Sequence, residues 1–196
     1  MAYLTIDKLN NIIFDNLDEN GDEYKIFIES GTFLGQTTIK LQPYFNTLYT
    51  VELSEKYFNI FNSIKNSDNL NNIFNYQGET SDILPDIFKL FDDKNKCIFW
   101  LDGHFSSGDT GKGNKDCPLI EECQIIDQLY PSDEMIILID DVWLFKTYIK
   151  EDWSDINIES IKKCFTNFEI SKEVILYHET VLDQKDILAF KLNRKL

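Results

Sequence analysis

The sequence predicts an α/β protein, with a doubly wound, mainly parallel seven-stranded sheet, helices on both faces and an antiparallel last strand. Three observations carry this. Short apolar runs alternate with stretches of helical periodicity along most of the 196 residues, the pattern of parallel strands joined by right-handed crossovers. Two of those runs, Phe99-Trp100-Leu101-Asp102-Gly103-His104 and Ile136-Ile137-Leu138-Ile139-Asp140-Asp141, stop abruptly on carboxylates. Buried strands of open sheets end in this way at the edge where ligands bind. The last two runs, Glu169 to Tyr177 and Ile187 to Leu192, look like a closing hairpin, whose strands are antiparallel.

In chain order, an N-terminal helix covers about Ile6 to Asn16, and the turn Asn20-Gly21-Asp22 leads to a first strand, Tyr24 to Glu29. Residues 1–22 read as a helical extension and 23–196 as a single domain. Thr37 to Leu41 is helical and stops near Pro43; Thr47 to Glu52 is the second strand. Ser54 caps a helix whose Tyr57, Phe58, Phe61 and Ile64 recur at helical spacing. Ile73 to Gln77 is the third strand, and Asp82 to Phe91 a helix with Ile83, Leu84, Ile87, Phe88 and Phe91 on its buried side. Cys97 to Leu101 is the fourth strand, Pro118 opens a helix at its first turn, and Met135 to Ile139 is the fifth. A polar helical stretch around Ile156 to Phe165 precedes the hairpin, whose loop contains Asp183.

Composition narrows the classes of function. Hydrophobic residues make up 43% and aromatic residues 14%, enough to build a core and to argue against disorder. No apolar run is long enough to span a bilayer, and Met1 to Asp7 carries no basic segment before an apolar one, so a cytoplasmic protein without membrane contact is expected. A net charge of −15 repels a nucleic-acid backbone and disfavours polynucleotide partners. Cys97, Cys117, Cys123 and Cys164 form no C-x-x-C pair and read as free thiols; Cys117, Cys123 and His104 match no common zinc spacing.

The turn Glu29-Ser30-Gly31-Thr32-Phe33-Leu34-Gly35 joins the first strand to a helix, and its glycines permit close backbone approach and a tight bend. It lacks the full G-x-G-x-x-G spacing, so a ligand without a diphosphate fits better than a dinucleotide. Glu52 ends the second strand, where a carboxylate can accept both hydroxyls of a ribose, and Gly78-Glu79-Thr80 ends the third, where it could flank an adenine.

The E/D-x-G-x-x-x-G arrangement of Glu29 to Gly35, followed by Glu52 and Gly78-Glu79-Thr80, resembles that of class I S-adenosylmethionine (SAM)-dependent methyltransferases over about Tyr24 to Leu192. The resemblance implies their Rossmann-like fold, with the closing hairpin as the antiparallel end. It implies that Gly31 and Gly35 approach the methionine part, that Glu52 holds the ribose and that Glu79 lies near the adenine amine. It extends the cofactor set to Glu29, Thr32, Phe33, Thr37, Leu53, Gly78, Thr80 and Asp102.

Asp102, Asp140 and Asp141 could supply hard oxygen ligands to Mg²⁺ or another divalent cation. A cation on an alcohol lowers its pKa and orients it. Within the methyltransferases, Asp102-Gly103-His104 paired with Asp140-Asp141 looks like the metal-dependent sugar O-methyltransferases of the macrocin type. In those enzymes an acidic base commonly stands two residues after the first Asp, where this chain has His104. His104 is the expected base, with Asp102 beside it as the second catalytic residue; an imidazole suits proton abstraction near neutrality. The implied acceptor is a hydroxyl of a sugar, a glycan or another small molecule.

The segment Phe105 to Asp116 contains Gly111-Lys112, but Ser106 and Gly113 stand where a phosphate loop needs glycine and Ser/Thr. A long Gly-rich loop beside an active site suits a lid. Trp143 and Phe145 could wall a sugar face or pack in the core; Trp100 belongs to the core and His178 to a surface loop. An NAD-dependent oxidoreductase and a metal-stabilised, non-catalytic module are the rival readings, and a homo-oligomer is compatible with either.

Overall fold

Side-chain alternation along each strand fills two cores at once. In the computed structural model, Ile98 and Trp100 of β4 (Cys97–Leu101) face one layer with Phe27, Leu48, Ile136 and Leu138, while Cys97, Phe99 and Leu101 face the other with Ile28, Val51, Ile137 and Ile139. Burial on both faces is what a parallel strand covered by helices requires. Residues 4–18, 23–106, 108–149, 151–178, 181 and 184–196 are described. The Asn20-Gly21-Asp22 turn and Asp183 lie outside them.

The remaining strands are β1 (Ile26–Ser30), β2 (Thr47–Glu52), β3 (Ile73–Gln77), β5 (Glu134–Ile139), β6 (Phe168–Tyr177) and β7 (Lys185–Arg194). They form one sheet in the order β3-β2-β1-β4-β5-β7-β6. All pairings from β3 to β5 are parallel, and β7 runs antiparallel to both neighbours. The strand order reverses between β1 and β4, so their carboxyl ends open a crevice.

The helices are α1 (Ile6–Ile12), α2 (Gln36–Leu41), α3 (Glu55–Ser67), α4 (Thr80–Phe88), α5 (Leu119–Leu129) and α6 (Ile158–Lys162). Leu84, Ile126 and Ile161 of α4, α5 and α6 cover one face; Leu9 and Ile12 of α1, Leu41 of α2 and Phe61 of α3 cover the other. The stretch read as an N-terminal extension therefore supplies part of a core layer. Thr5 caps α1 by accepting from Lys8 N, and the helix widens into a π-helical turn over Ile13–Leu17, closed by Asp18 N donating to Ile13 O. Among the described residues, no helix is long and apolar enough to cross a membrane.

Several element ends differ from expectation by a few residues: α1 stops at Ile12, α6 covers only Ile158–Lys162 and β7 extends over Lys185–Arg194. α4 begins at Thr80, since Glu79 leaves β3 in extended conformation and Ile83 N already returns to Glu79 O. Ser54 stands at the N-cap of α3 without a side-chain cap bond; its Oγ is turned to Asp109 O at 3.5 Å, and its backbone N–H donates to Glu52.

Candidate active site

The carboxyl ends of β1 to β5 surround a cavity of about 1000 Å³ including its open mouth. Gly31, after β1, adopts φ +85°, and a Cβ there would stand 2.5 Å from the carbonyl oxygen of Asp102. Only glycine lets the β1 turn lie this close to the end of β4. At the end of β2, Glu52 Oε2 accepts from Phe33 N at 2.7 Å and Oε1 from Ser54 N at 2.8 Å. Burial nonetheless raises the Glu52 carboxyl above its ordinary pKa.

Of the residues read as cofactor-binding, Gly31, Phe33, Glu52, Leu53, Gly78, Glu79, Thr80 and Asp102 line this cavity, whereas Glu29, Thr32, Gly35 and Thr37 do not. These four stand behind its wall. The Glu29 carboxyl is buried and accepts from the hydroxyls of Thr38 and Thr50; burial pushes its pKa up to about 7. Thr32 Oγ1 pairs with Thr50 Oγ1, Gly35 packs on the Phe61 ring, and Thr37 Oγ1 accepts from Leu4 N.

Of the segment expected to act as a lid, Phe105, Ser106 and most of Thr110 to Asp116 line the cavity. Phe105 N donates to Asp116 O, closing the base of this loop. Lys56 pairs with Asp109 at 2.7 Å, and Asn114 N donates to Glu79 Oε1 at 3.1 Å. A Cβ on Gly111 would stand 2.8 Å from the Leu53 side chain and one on Gly113 2.7 Å from Glu79, so its glycines let the loop rest directly on the wall.

Toward β5 the cavity reaches a carboxylate and imidazole group. His104 Nδ1 is 3.6 Å from Asp102 Oδ1, and Nε2 is 3.4 Å from Asp141 Oδ2 and 3.8 Å from Glu151 Oε2. Ser106 Oγ bonds Nε2 at 2.9 Å, and the Trp153 ring meets the imidazole edge-on at 5.0 Å. Burial lowers the His104 pKa against the pull of Asp141 and Glu151, so the ring is held toward its neutral form. Burial, then Asp140 and Asp141, raise the Asp102 carboxyl well above its ordinary range.

The expected cation ligands were Asp102, Asp140 and Asp141. Among the described residues, Asp102, His104 and Asp141 each offer a ligand atom within 4.8 Å of the others, and Asp140 lines the same cavity. The trio has a local cause: Asp141 takes a left-handed backbone (φ +54°, ψ 36°) straight after β5, turning its side chain toward His104. Asp140, one residue back, is buried within reach of the charges of Asp186 and Lys8, and burial with Asp141 raises it to about 7. Cys117 and Cys123 are buried free thiols and do not join the group.

No protein-family model matches the chain, and no curated protein matches it in sequence. Solved structures do match in fold. The O-methyltransferase TomG of Streptomyces achromogenes, involved in tomaymycin synthesis and crystallised with SAM, is 15% identical, with a TM-score of 0.59 over 89% of this chain and 75% of its own. An O-methyltransferase of Bacillus cereus in complex with SAH gives the same identity and score over 88% and 76%. SMU.1697c of Streptococcus mutans, also with SAH, is 12% identical, with a TM-score of 0.58 over 98% of this chain and 99% of its own. The chain shares the fold of these three solved methyltransferases.

Within the methyltransferase fold, three residues of the site escaped sequence reasoning. Glu151 sits in a charged loop that reads as surface, yet its side chain accepts from Trp153 Nε1 and faces His104. Ser106, read from the sequence only as standing where a phosphate loop needs glycine, bonds His104 Nε2. Glu122, in the first turn of α5, resembles a helix-dipole acid; it is buried under Gly103, where a Cβ would stand 3.3 Å from its Oε1. Its Oε1 has no hydrogen-bond partner, and burial raises its pKa to about 7 against the lowering pull of Ser30 and Thr80. Nothing in its sequence context marks it.

Proposed function

We propose that this chain is a SAM-dependent O-methyltransferase acting on a hydroxyl of a sugar or glycan with the help of a divalent cation. The observation that carries the reading is continuity: one cavity runs from Gly31, Glu52 and Glu79 to Asp102, His104 and Asp141. The three solved structures share the fold and are named as methyltransferases, two of them as O-methyltransferases. The sugar acceptor rests on the likeness of Asp102-Gly103-His104 and Asp140-Asp141 to the macrocin type, and the net charge of −15 argues against a polynucleotide.

SAM supplies a methyl group already activated on a sulfonium, so the protein's work is alignment and proton removal. Glu52, fixed by Phe33 N and Ser54 N, keeps lone pairs for ribose hydroxyls; Glu79 and the Gly78 turn border the adenine end; and the lid excludes water. His104 Nε2 takes the acceptor's proton as the sulfur–methyl bond breaks and the oxygen–methyl bond forms. Asp141 and Glu151, whose charges pull the His104 pKa upward, favour the imidazolium that results.

Two carboxylates and an imidazole fit a divalent cation, and the nitrogen donor suits Mn²⁺ or a later transition metal better than Mg²⁺. When bound, the cation would polarise the hydroxyl. Because His104 belongs to the compact trio, a second reading makes it the third ligand and leaves Glu151, 3.8 Å from Nε2, to receive the proton. A thermal-shift series with SAM and SAH, each with and without Mn²⁺ and Mg²⁺, tests the proposal. A concentration-dependent rise with SAM and SAH is expected, and no shift at millimolar ligand overturns it.

A further inference from the structure

Beyond β5 the chain makes a single 3₁₀ turn, Val142–Leu144, that sets Trp143 between two spaces. On one side its indole Nε1 donates to Asp141 Oδ1 at 2.8 Å, inside the carboxylate and imidazole group. On the other, Trp143 lines a second cavity of about 930 Å³ including its mouth, with Lys146, Lys185, Asn157 and Glu159 among its walls. Trp143 is 45% exposed, whereas Trp100 and Trp153 are buried. A large aromatic surface left to solvent beside a reaction centre is a stacking platform for a ring.

The charges of this second cavity run against those of the molecule. Glu159 shares Lys162, 3.6 Å away, with Glu173 at 2.6 Å, so one carboxylate faces the two lysines of the cavity. Lys146 and Lys185 form no ion pair among the described residues. The backbone of Lys146 is pinned, since its N–H donates to both Trp153 O and Ile156 O, so its side chain springs from a fixed point. Two ammonium groups at one cavity with no ion-pair partner among the described residues, on a protein of net charge −15, point to a local anion site within a repelling field.

We propose that this cavity is the distal half of the acceptor site, taking an acceptor whose far end carries an oxyanion, a carboxylate or a phosphate, while the ring before it stacks on Trp143. Its role as an acceptor subsite rests on the function proposed above; the binding itself does not. Trp143 then links the two halves: its ring holds the acceptor and its N–H fixes the carboxylate that faces the reacting end.

The test is tryptophan fluorescence of the whole protein, titrated with galactose, galacturonate and galactose 6-phosphate, with the Trp143→Phe variant to isolate the signal. Both charged sugars are expected to bind at least about threefold more tightly than galactose at low salt, the order expected of exposed charge pairs. The gap should close in 0.5 M NaCl and in a Lys146→Gln/Lys185→Gln double variant. A larger gap for galactose 6-phosphate assigns the site to phosphate, and one for galacturonate to carboxylate. Equal binding of the neutral sugar, a gap untouched by the double substitution, or no change in the Trp143 signal with any sugar overturns the proposal. The SAM thermal shift is recorded on the same samples. Its absence with charge discrimination intact strikes the methyl-transfer reading alone, and its presence with no discrimination strikes only the subsite.

Discussion

His104 Nε2 lies 3.4 Å from Asp141 Oδ2. At that distance the carboxylate stabilises a proton on the ring without immobilising it in a short bond, which suits a group that must gain and lose one. His104→Ala is expected to lower kcat by about 10²- to 10⁴-fold, the usual contribution of a positioned base. Calorimetric affinity for SAM should stay nearly unchanged. Full activity in the variant would reject the role.

Cation binding separates Asp140 from Asp141. Asp141→Asn should abolish a Mn²⁺-dependent rise in melting temperature, while Asp140→Asn should keep it, since the compact trio includes Asp141 and not Asp140. Asn tolerates the left-handed backbone, so the variant tests the ligand and not the turn. The opposite ranking would restore the adjacent-pair ligand set that the sequence suggests.

Stability should fall as pH rises. Glu29 and Glu122 are buried carboxyls lifted by desolvation from 4.5 to about 7. The folded state therefore holds their protons after the unfolded chain has released its own. Their contribution is full below about pH 4.5, is lost progressively up to about pH 7, and stays lost above it. Each group accounts for about 3 kcal/mol across that window. Urea midpoints at pH 5, 6, 7 and 8 should decline in the unaltered protein and decline less steeply in Glu122→Gln, where Glu29 still titrates. A parallel decline in both proteins would show that Glu122 titrates normally.

Gly31→Ala should destabilise the protein by about 2–4 kcal/mol, combining a positive φ with a displaced backbone. Its Cβ would need the space of the Asp102 carbonyl. For a chain of this length that corresponds to a drop of about 5 to 15 °C in Tm. Because the displaced segment carries Asp102, affinity for SAM should fall in the same variant. A native melting temperature would mean that the β1 and β4 turns separate easily.

The sheet was legible because burial on both faces leaves a plain signal. Cys97–Leu101 matches the predicted strand end to end, and Ile136 to Ile139 fall where a continuous apolar run places them. The lining of the first half of the cavity was legible for the same reason: Gly31, Glu52 and Glu79 terminate consecutive strands. What the sequence hides is set by long-range packing. Glu151 reaches His104 only because the loop after β5 folds back, with Asp152 N donating to Asp116 of the lid. Thr37 shares a turn with the site but points to Leu4, and only the docking of the N-terminal segment decides that.

The left-handed turn at Asp141 makes two neighbours of identical chemistry into different instruments. Both line the cavity, but Asp140 is buried and feels the charges of Asp186 and Lys8, while Asp141 stands beside His104 and accepts from Trp143 Nε1. The backbone, and not the side chain, allots these duties. A β-branched residue at position 141 would disturb the allotment before the loss of a carboxylate was felt, so this position answers to two separate selective demands. Among the common residues that tolerate such a turn, Gly, Asn and Asp, only Asp meets both.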